Sequence, residues 1–157
     1  MSSSPFRRAC GRYATGVTIA AVCDDAGRPH GLTVNSFTSV SLVPPLVLFC
    51  VSHTTGVWEH FQRAEWVGIS VLEQGQREIA ERFSRRHADR FAGIEWRRGA
   101  TSGAPLIDRA LATFECRIAR RIVAGDHDIL IAEATHTEAH YGVPLVYFEG
   151  GYTVLAD

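Results

Sequence analysis

The stretch Gly31-Leu-Thr-Val-Asn-Ser-Phe-Thr-Ser-Val-Ser41, followed after Leu42-Val43 by Pro44-Pro-Leu-Val-Leu-Phe-Cys-Val51, decides the fold. Its β-branched, aromatic and hydroxyl residues favour extended chain over helix. Neither Pro44 nor Pro45 can donate to a ladder, so Phe37 to Val51 reads as two strands broken at the proline pair. Thr33, Asn35 and Ser36 sit inside an apolar run, where their hydroxyls and amide must find partners. Local turn and bulge bonding is one way to satisfy them. The other is a strand edge that presents donors to a planar heterocycle or a phosphate.

Working outward, Val17 to Cys23 is a strand, and Asp24-Asp-Ala-Gly-Arg-Pro29 is turn chemistry that lets His30 to Ser36 pair back across it. Glu65 to Leu72 is another strand. Leu111 to Val123 sets Ala112, Phe114, Cys116 and Ile118 against Thr113, Glu115 and Arg117 at period two. With Asp128 to Thr137, Leu145 to Glu149 and Tyr152 to Leu155, the chain has about eight strands. Helices are few. Ser4 is placed to cap a short amphipathic helix with Pro5 at its first position, Phe6, Ala9, Cys10 and Tyr13 on one face, and Gly16 to close it. Thr54-Thr55-Gly56 is placed to cap a helix carrying Val57, Trp58 and Phe61. Gln74 to Ser84 places Ile79, Ala80 and Phe83 on one helical face. Ser102 to Asp108 reads as an irregular loop. Many short antiparallel strands with few helices favour a closed barrel, and periodicity alone does not say which.

The 157 residues fit one domain spanning 1–157, and 46% hydrophobic against 21% charged is enough to bury a core. Sixteen basic residues against seventeen acidic give a net charge of −1, which offers no field for a polyphosphate backbone and argues against nucleic acid. No apolar run approaches a membrane span; the best, Pro44 to Val51, is strand-sized. Met1-Ser-Ser-Ser-Pro-Phe-Arg-Arg8 has no signal-peptide core, so a cytoplasmic location is expected. Cys10, Cys23, Cys50 and Cys116 form no pair at metal-binding or redox spacing and are read as reduced core thiols. The histidines show neither His-x3-His nor His-Glu-x2-His, so no metal site is expected.

Besides the 31–41 run, three segments can carry chemistry. Cys50-Val-Ser-His-Thr-Thr-Gly-Val57 runs from a strand end into a helix start, where backbone N–H groups and hydroxyls suit an anion. Gly125-Asp-His-Asp128 is either a plain turn or a histidine held by flanking carboxylates near reacting atoms. Pro144 to Tyr152 brackets Gly150-Gly151 with aromatics, either as edge packing or as a platform for a flat ring.

Taken together, these segments resemble the short-chain flavin reductase family. The matching residues also include Phe6-Arg7, Thr15-Gly-Val-Thr18, Glu81-Arg-Phe83, Phe91-Ala-Gly93, Gly103-Ala-Pro-Leu106 and Glu115-Cys116. The resemblance implies a mainly β fold, a Greek-key split β-barrel of six strands, working as a homodimer. It implies reduction of FMN or FAD by NADH or NADPH, with the reduced flavin passing to a separate monooxygenase. Carried onto this chain, Thr33, Val34, Asn35 and Ser36 would bond the isoalloxazine edge and ribityl chain. Cys50, Val51, Ser52, Thr55, Gly56 and Val57 would hold ribityl and phosphate, with Arg82 and Phe83 flanking the phosphate end. His127, with Tyr147, Gly150 and Tyr152, would meet the nicotinamide nucleotide. Glu149 departs from the pattern: a carboxylate aimed into the groove would repel a pyrophosphate, whereas one aimed at solvent would not. That departure keeps open a flavoenzyme with tightly bound flavin acting on a small metabolite; a non-catalytic flavin carrier is the other alternative.

Overall fold

The computed structural model describes residues 4–86 and 89–156. Helix α1 (Pro5–Gly11) is followed by β1 (Thr15–Gly16), β2 (Thr18–Cys23), β3 (Pro29–Val34), β4 (Thr38–Leu42), β5 (Pro45–Ser52), α2 (Trp58–Arg63) and β6 (Trp66–Val71). A 3-10 turn (Gln74–Gln76) leads into α3 (Arg77–Ser84). Then come β7 (Trp96–Arg98), β8 (Pro105–Ile107), β9 (Ala112–Ala124), β10 (His127–Ala139), β11 (Leu145–Phe148) and β12 (Gly151–Val154).

Seven strands form an antiparallel sheet in the order β3-β2-β6-β9-β10-β5-β4. Leu32 and Val34 of β3 share one buried cluster with Val47, Phe49 and Val51 of β5, although the two strands lie far apart in that order. The sheet therefore curls into a six-stranded barrel with β4 hairpinned outside it. The seam is tied where the Cys50 N–H donates to Ser36 Oγ at 2.8 Å. One residue of the deciding stretch thus satisfies its hydroxyl by closing the barrel. A second cluster lies on the barrel's outer wall, where Val17, Ile19 and Ala21 meet Phe83 of α3, Phe91, Ile107 and Leu145. Strand β2 is buried on both faces for this reason. Close approach sets residue size there: a Cβ on Gly68 would sit 2.1 Å from the Pro105 carbonyl oxygen.

The longer strands fall where the pattern predicts them. Strands β1, β7 and β8 were not expected, because two or three residues cannot display a period. The 102–108 segment includes β8, and the loop before it is pinned by Glu115, 2% exposed, which accepts from Thr101 N, Ser102 N and Ser102 Oγ. Helix α1 is capped by Ser4 as expected. It ends at Gly11, however, Gly16 lies in β1, and no residue of α1 is buried; Phe6 and Tyr13 are each 78% exposed. Val57, not a hydroxyl residue, stands at the N-cap of α2 and makes no side-chain cap bond. Among the cysteines only Cys116 is a core thiol, with burial pushing it up to about 12; Cys10 is exposed and the other two are half-buried. No helix among the described residues is long and apolar enough to cross a membrane.

Candidate functional site

In β10, alternation sends neighbouring residues to opposite faces. Asp128 points into the barrel end and is 2% exposed, whereas His127 lies on the outer face beside Ser52, its register partner on β5. His127 Nδ1 lies 2.7 Å from Asp126 Oδ1. A carboxylate at that distance accepts, so Nδ1 carries the proton and Nε2 is left for the groove. The same bond is the main reason Asp126 is held below the usual carboxylate range.

The second flanking carboxylate does not serve His127. Asp128 accepts from His53 Nε2 at 2.9 Å, Trp58 Nε1 at 2.7 Å and Gln62 Nε2 at 2.6 Å. Burial pushes its carboxyl up, but these bonds, with the His53 charge, outweigh that and hold it below the ordinary value. The network fastens the 52–57 corner and α2 to the barrel end. His53 falls within the 50–57 segment but carries no role there, Gln62 lies outside every segment singled out, and Trp58 reads only as part of an apolar helix face.

A groove of about 940 Å³ is lined by His127, by Arg7 and Arg8 of α1 and Arg12 just after it, and by Asn35, Tyr147, Glu149 and Gly150. A hollow of about 160 Å³ adjoins it through Asn35 and Tyr147 and is lined also by Val17, Thr33, Ser84 and Tyr152. The Tyr147 and Tyr152 rings lie 5.5 Å apart and tilted at 59°, with the Arg77 guanidinium 5.9 Å over Tyr152.

Glu149 is exposed to solvent but does not stand unpaired beside the groove. It sits at φ +51°, its N–H donates to Gly11 O at 2.9 Å, and its carboxylate pairs with Arg12. That pairing offsets the charge that would have repelled a pyrophosphate.

The expected site residues divide by where the fold sends them. Asn35, His127, Tyr147 and Gly150 meet on the groove; Thr33 and Tyr152 line the adjoining hollow. The Thr33 hydroxyl is already committed to Ala80 O at 2.6 Å, so it anchors α3 and does not stand ready for a ligand. Val34, Val51 and Phe83 are at most 4% exposed and turn their side chains into the two cores. Side-chain contact with a ligand is closed to them, because extended-chain parity and the inner face of α3 direct them inward; only their backbone can take part. Ser36 closes the seam through the N–H of Cys50, which is half-buried on β5. Ser52 Oγ lies 3.0 Å from Thr54 Oγ1 and accepts from Thr54 N, while its carbonyl accepts from Thr55 N. Gly56 and Val57 open instead onto a further cavity, beside α2.

A flavin nucleotide needs a flat apolar surface, polar edge groups and a receptor for its phosphate. The tyrosine-lined hollow, Asn35 and the hydroxyl corner at 52–54 are of those kinds. Arg82 donates from Nη2 to Asp89 O, while its Nε–H is buried with no partner among the described residues, a donor suited to an anion. The residues present fit the group.

Residues 10–156 match the family model described as flavin reductase like domain. The chain is 42% identical over 147 residues to a probable flavin reductase of Rhizobium meliloti, covering 94% of this chain and 47% of that protein. It is 37% identical to the reductase component of a flavin-dependent trigonelline monooxygenase of Acinetobacter baylyi, again over 94% of this chain and 47% of the relative. The chain thus spans about half the length of these relatives. A solved NADH:FAD oxidoreductase of Streptomyces globisporus, in complex with NAD and FAD fragments, superposes with a TM-score of 0.91 at 38% identity, over 96% of this chain and 91% of that one. With a split barrel, a groove that unites Asn35, His127 and Tyr147, and a family match over nearly its whole length, this chain belongs to the flavin reductase-like domain family.

Proposed function

We propose that this chain reduces FMN or FAD with NADH or NADPH and releases the reduced flavin to a separate flavin-dependent monooxygenase. The carrying observation is the meeting of His127, Asn35, Tyr147 and Gly150 on one groove that the arginine-bearing α1 also lines. When bound, the flavin supplies the redox chemistry by accepting a hydride; the chain supplies orientation and charge balance. Tyr147 and Tyr152 offer the flat surface. Asn35, with the backbone of 33–36, offers donors to the ring edge, where reduction places negative charge. The Ser52 and Thr54 hydroxyls and the unpartnered Nε–H of Arg82 would take the phosphate end. Asp126 orients His127, whose Nε2 would meet the amide of the nicotinamide, while Arg7 offsets the donor's phosphates. No acid–base pair of side chains is required, and a flavin that must leave calls for moderate affinity.

A homodimer and a cytoplasmic location complete the proposal. Supporting the dimer, Val40, Leu42 and Val43 around β4 and Phe148, Val154 and Leu155 near β12 are exposed apolar side chains in need of cover. The test is to mix the purified chain with NADH or NADPH and excess FMN or FAD and follow the loss of reduced-nicotinamide absorbance. Turnover that scales with added flavin supports the reading. A copurifying flavin that is never released, or reversible binding without NADH oxidation, would refute it. Light scattering at micromolar concentration should give twice the chain mass.

A further inference from the structure

The loop between β11 and β12 is two residues long, since Phe148 and Gly151 still pair across it. Glu149 and Gly150 both stand at positive φ, +51° and +81°, the pair of left-handed conformations that a type I′ hairpin turn demands. Asparagine, aspartate and glycine are the usual residues there. A glutamate is uncommon at that φ, and an uncommon conformation directs attention to what the side chain does.

Two contacts decide where that side chain stands. The Glu149 N–H donates to the carbonyl of Gly11, the last residue of α1, at 2.9 Å, and Glu149 Oε1 pairs with Arg12. The loop is thereby fastened to the end of α1, and Glu149 lines the groove with Arg7, Arg12 and His127. Its side chain is 47% exposed, and Oε2 makes no bond among the described residues, so that oxygen is open to a ligand.

The nicotinamide of a donor must lie against the flavin ring for hydride to pass. It therefore belongs at Asn35 and Tyr147, the residues that line both the groove and the tyrosine-lined hollow. The phosphates and the adenosine ribose are left with the rest of the groove, along α1 and the Arg12–Glu149 pair. There a carboxylate and a guanidinium have opposite preferences. A carboxylate accepts from the hydroxyls of an unsubstituted ribose, whereas an arginine receives a ribose 2′-phosphate. In this groove the arginine is already paired, and a 2′-phosphate would meet the carboxylate at close range.

We propose that Glu149 selects the donor: its carboxylate accepts from the adenosine ribose of NADH and, by its own charge and by holding Arg12, turns away the 2′-phosphate of NADPH. The assignment rests on the reductase reading above and narrows its donor to NADH.

The test compares kcat/KM for NADH and NADPH at saturating flavin in the wild type, Glu149→Gln and Glu149→Gly. Calorimetric titration of the same proteins with NAD+ and NADP+, without flavin, accompanies it. Glutamine keeps the length of the side chain and glycine suits the turn, so the two variants remove the charge with and without the backbone constraint. An exposed ion pair adds little to stability, and both variants should fold. Wild type should favour NADH by at least about tenfold. In both variants NADPH should gain about tenfold as Arg12 is released to the 2′-phosphate, NADH should lose a few-fold with the ribose contact, and NADP+ affinity should rise. A wild type that takes both donors alike, or favours NADPH, would overturn the proposal. So would variants whose NADH-to-NADPH ratio moves by less than about threefold; an equal loss for both donors would make the pair a fastening for α1 and nothing more. If the wild type oxidises neither donor with FMN or FAD, the reductase reading fails instead, and the contrast of NAD+ with NADP+ affinity across the three proteins still decides the role of Glu149.

Discussion

Replacing Asp128 with alanine should cost the fold more than any other single change near the site. The carboxylate is 2% exposed and accepts from three side chains, so its loss strands His53 Nε2, Trp58 Nε1 and Gln62 Nε2 together. A buried donor left without a partner costs about 1–3 kcal/mol. His53, about a third exposed, can recover water, whereas Trp58 and Gln62 recover less. The sum is about 3–4 kcal/mol, in line with breaking a buried ion pair. For a chain of this size that lowers Tm by about 8–12 °C. The pH dependence follows from the depressed carboxyl. A group whose folded pKa lies below its unfolded value contributes stability that is present above the unfolded pKa, about 3.9 for Asp. That contribution is lost as pH falls through the folded pKa. Wild type should therefore lose stability as pH drops below about 4, with a steeper acid limb than Asp128→Ala. Urea unfolding of both proteins between pH 7 and pH 3 checks both statements. A loss below about 1 kcal/mol at pH 7, or parallel acid limbs, would show that the three donors find other partners and that the network does not fasten the barrel end.

His127→Ala should keep Tm within a few degrees and flavin affinity within a few-fold, while kcat/KM for NADH falls about tenfold, or 1.4 kcal/mol; stopped-flow reduction at varied NADH reads this, and unchanged kinetics would remove His127 from the donor site. Ser52→Asp should weaken FMN binding by at least about tenfold and leave riboflavin nearly unaffected, since a carboxylate at the corner meets the phosphate; equal weakening in a titration of both would refute the phosphate assignment. Gly68→Ala should destabilise by about 2–3 kcal/mol, because the new methyl would sit 2.1 Å from the Pro105 carbonyl and push β8 off the barrel wall. A thermal melt within about 2 °C of wild type would contradict that packing.

Much of the barrel is legible residue by residue. The Pro44-Pro45 break separates β4 from β5, and Asp24 to Pro29 makes the β2–β3 turn. Ser4-Pro5 starts α1 where its cap and ring dictate. These are local events, decided by backbone dihedrals and bonds within a few residues. The candidate site is legible only in part. Asn35, His127, Tyr147 and Gly150 carry polar or conformational marks out of keeping with plain core, and they do meet on the groove. Val34, Val51 and Phe83 carry no such mark; they entered through the resemblance, and burial turns their side chains away.

What the chain order could not display is partnership across the fold. That Asp128 serves His53, Trp58 and Gln62, that His30 stacks on His60, and that Arg12 neutralises Glu149 depend on contacts spanning 30 to 137 positions of sequence. Period-two alternation places Asp128 and His127 on opposite faces. Which face is the core is decided only when the sheet closes on itself and α2 plugs its end. Alternation, turn chemistry and capping are short-range and survive in a string of letters. Burial, ion pairing and cavity shape are set by long-range closure, and they exist only once the barrel is shut.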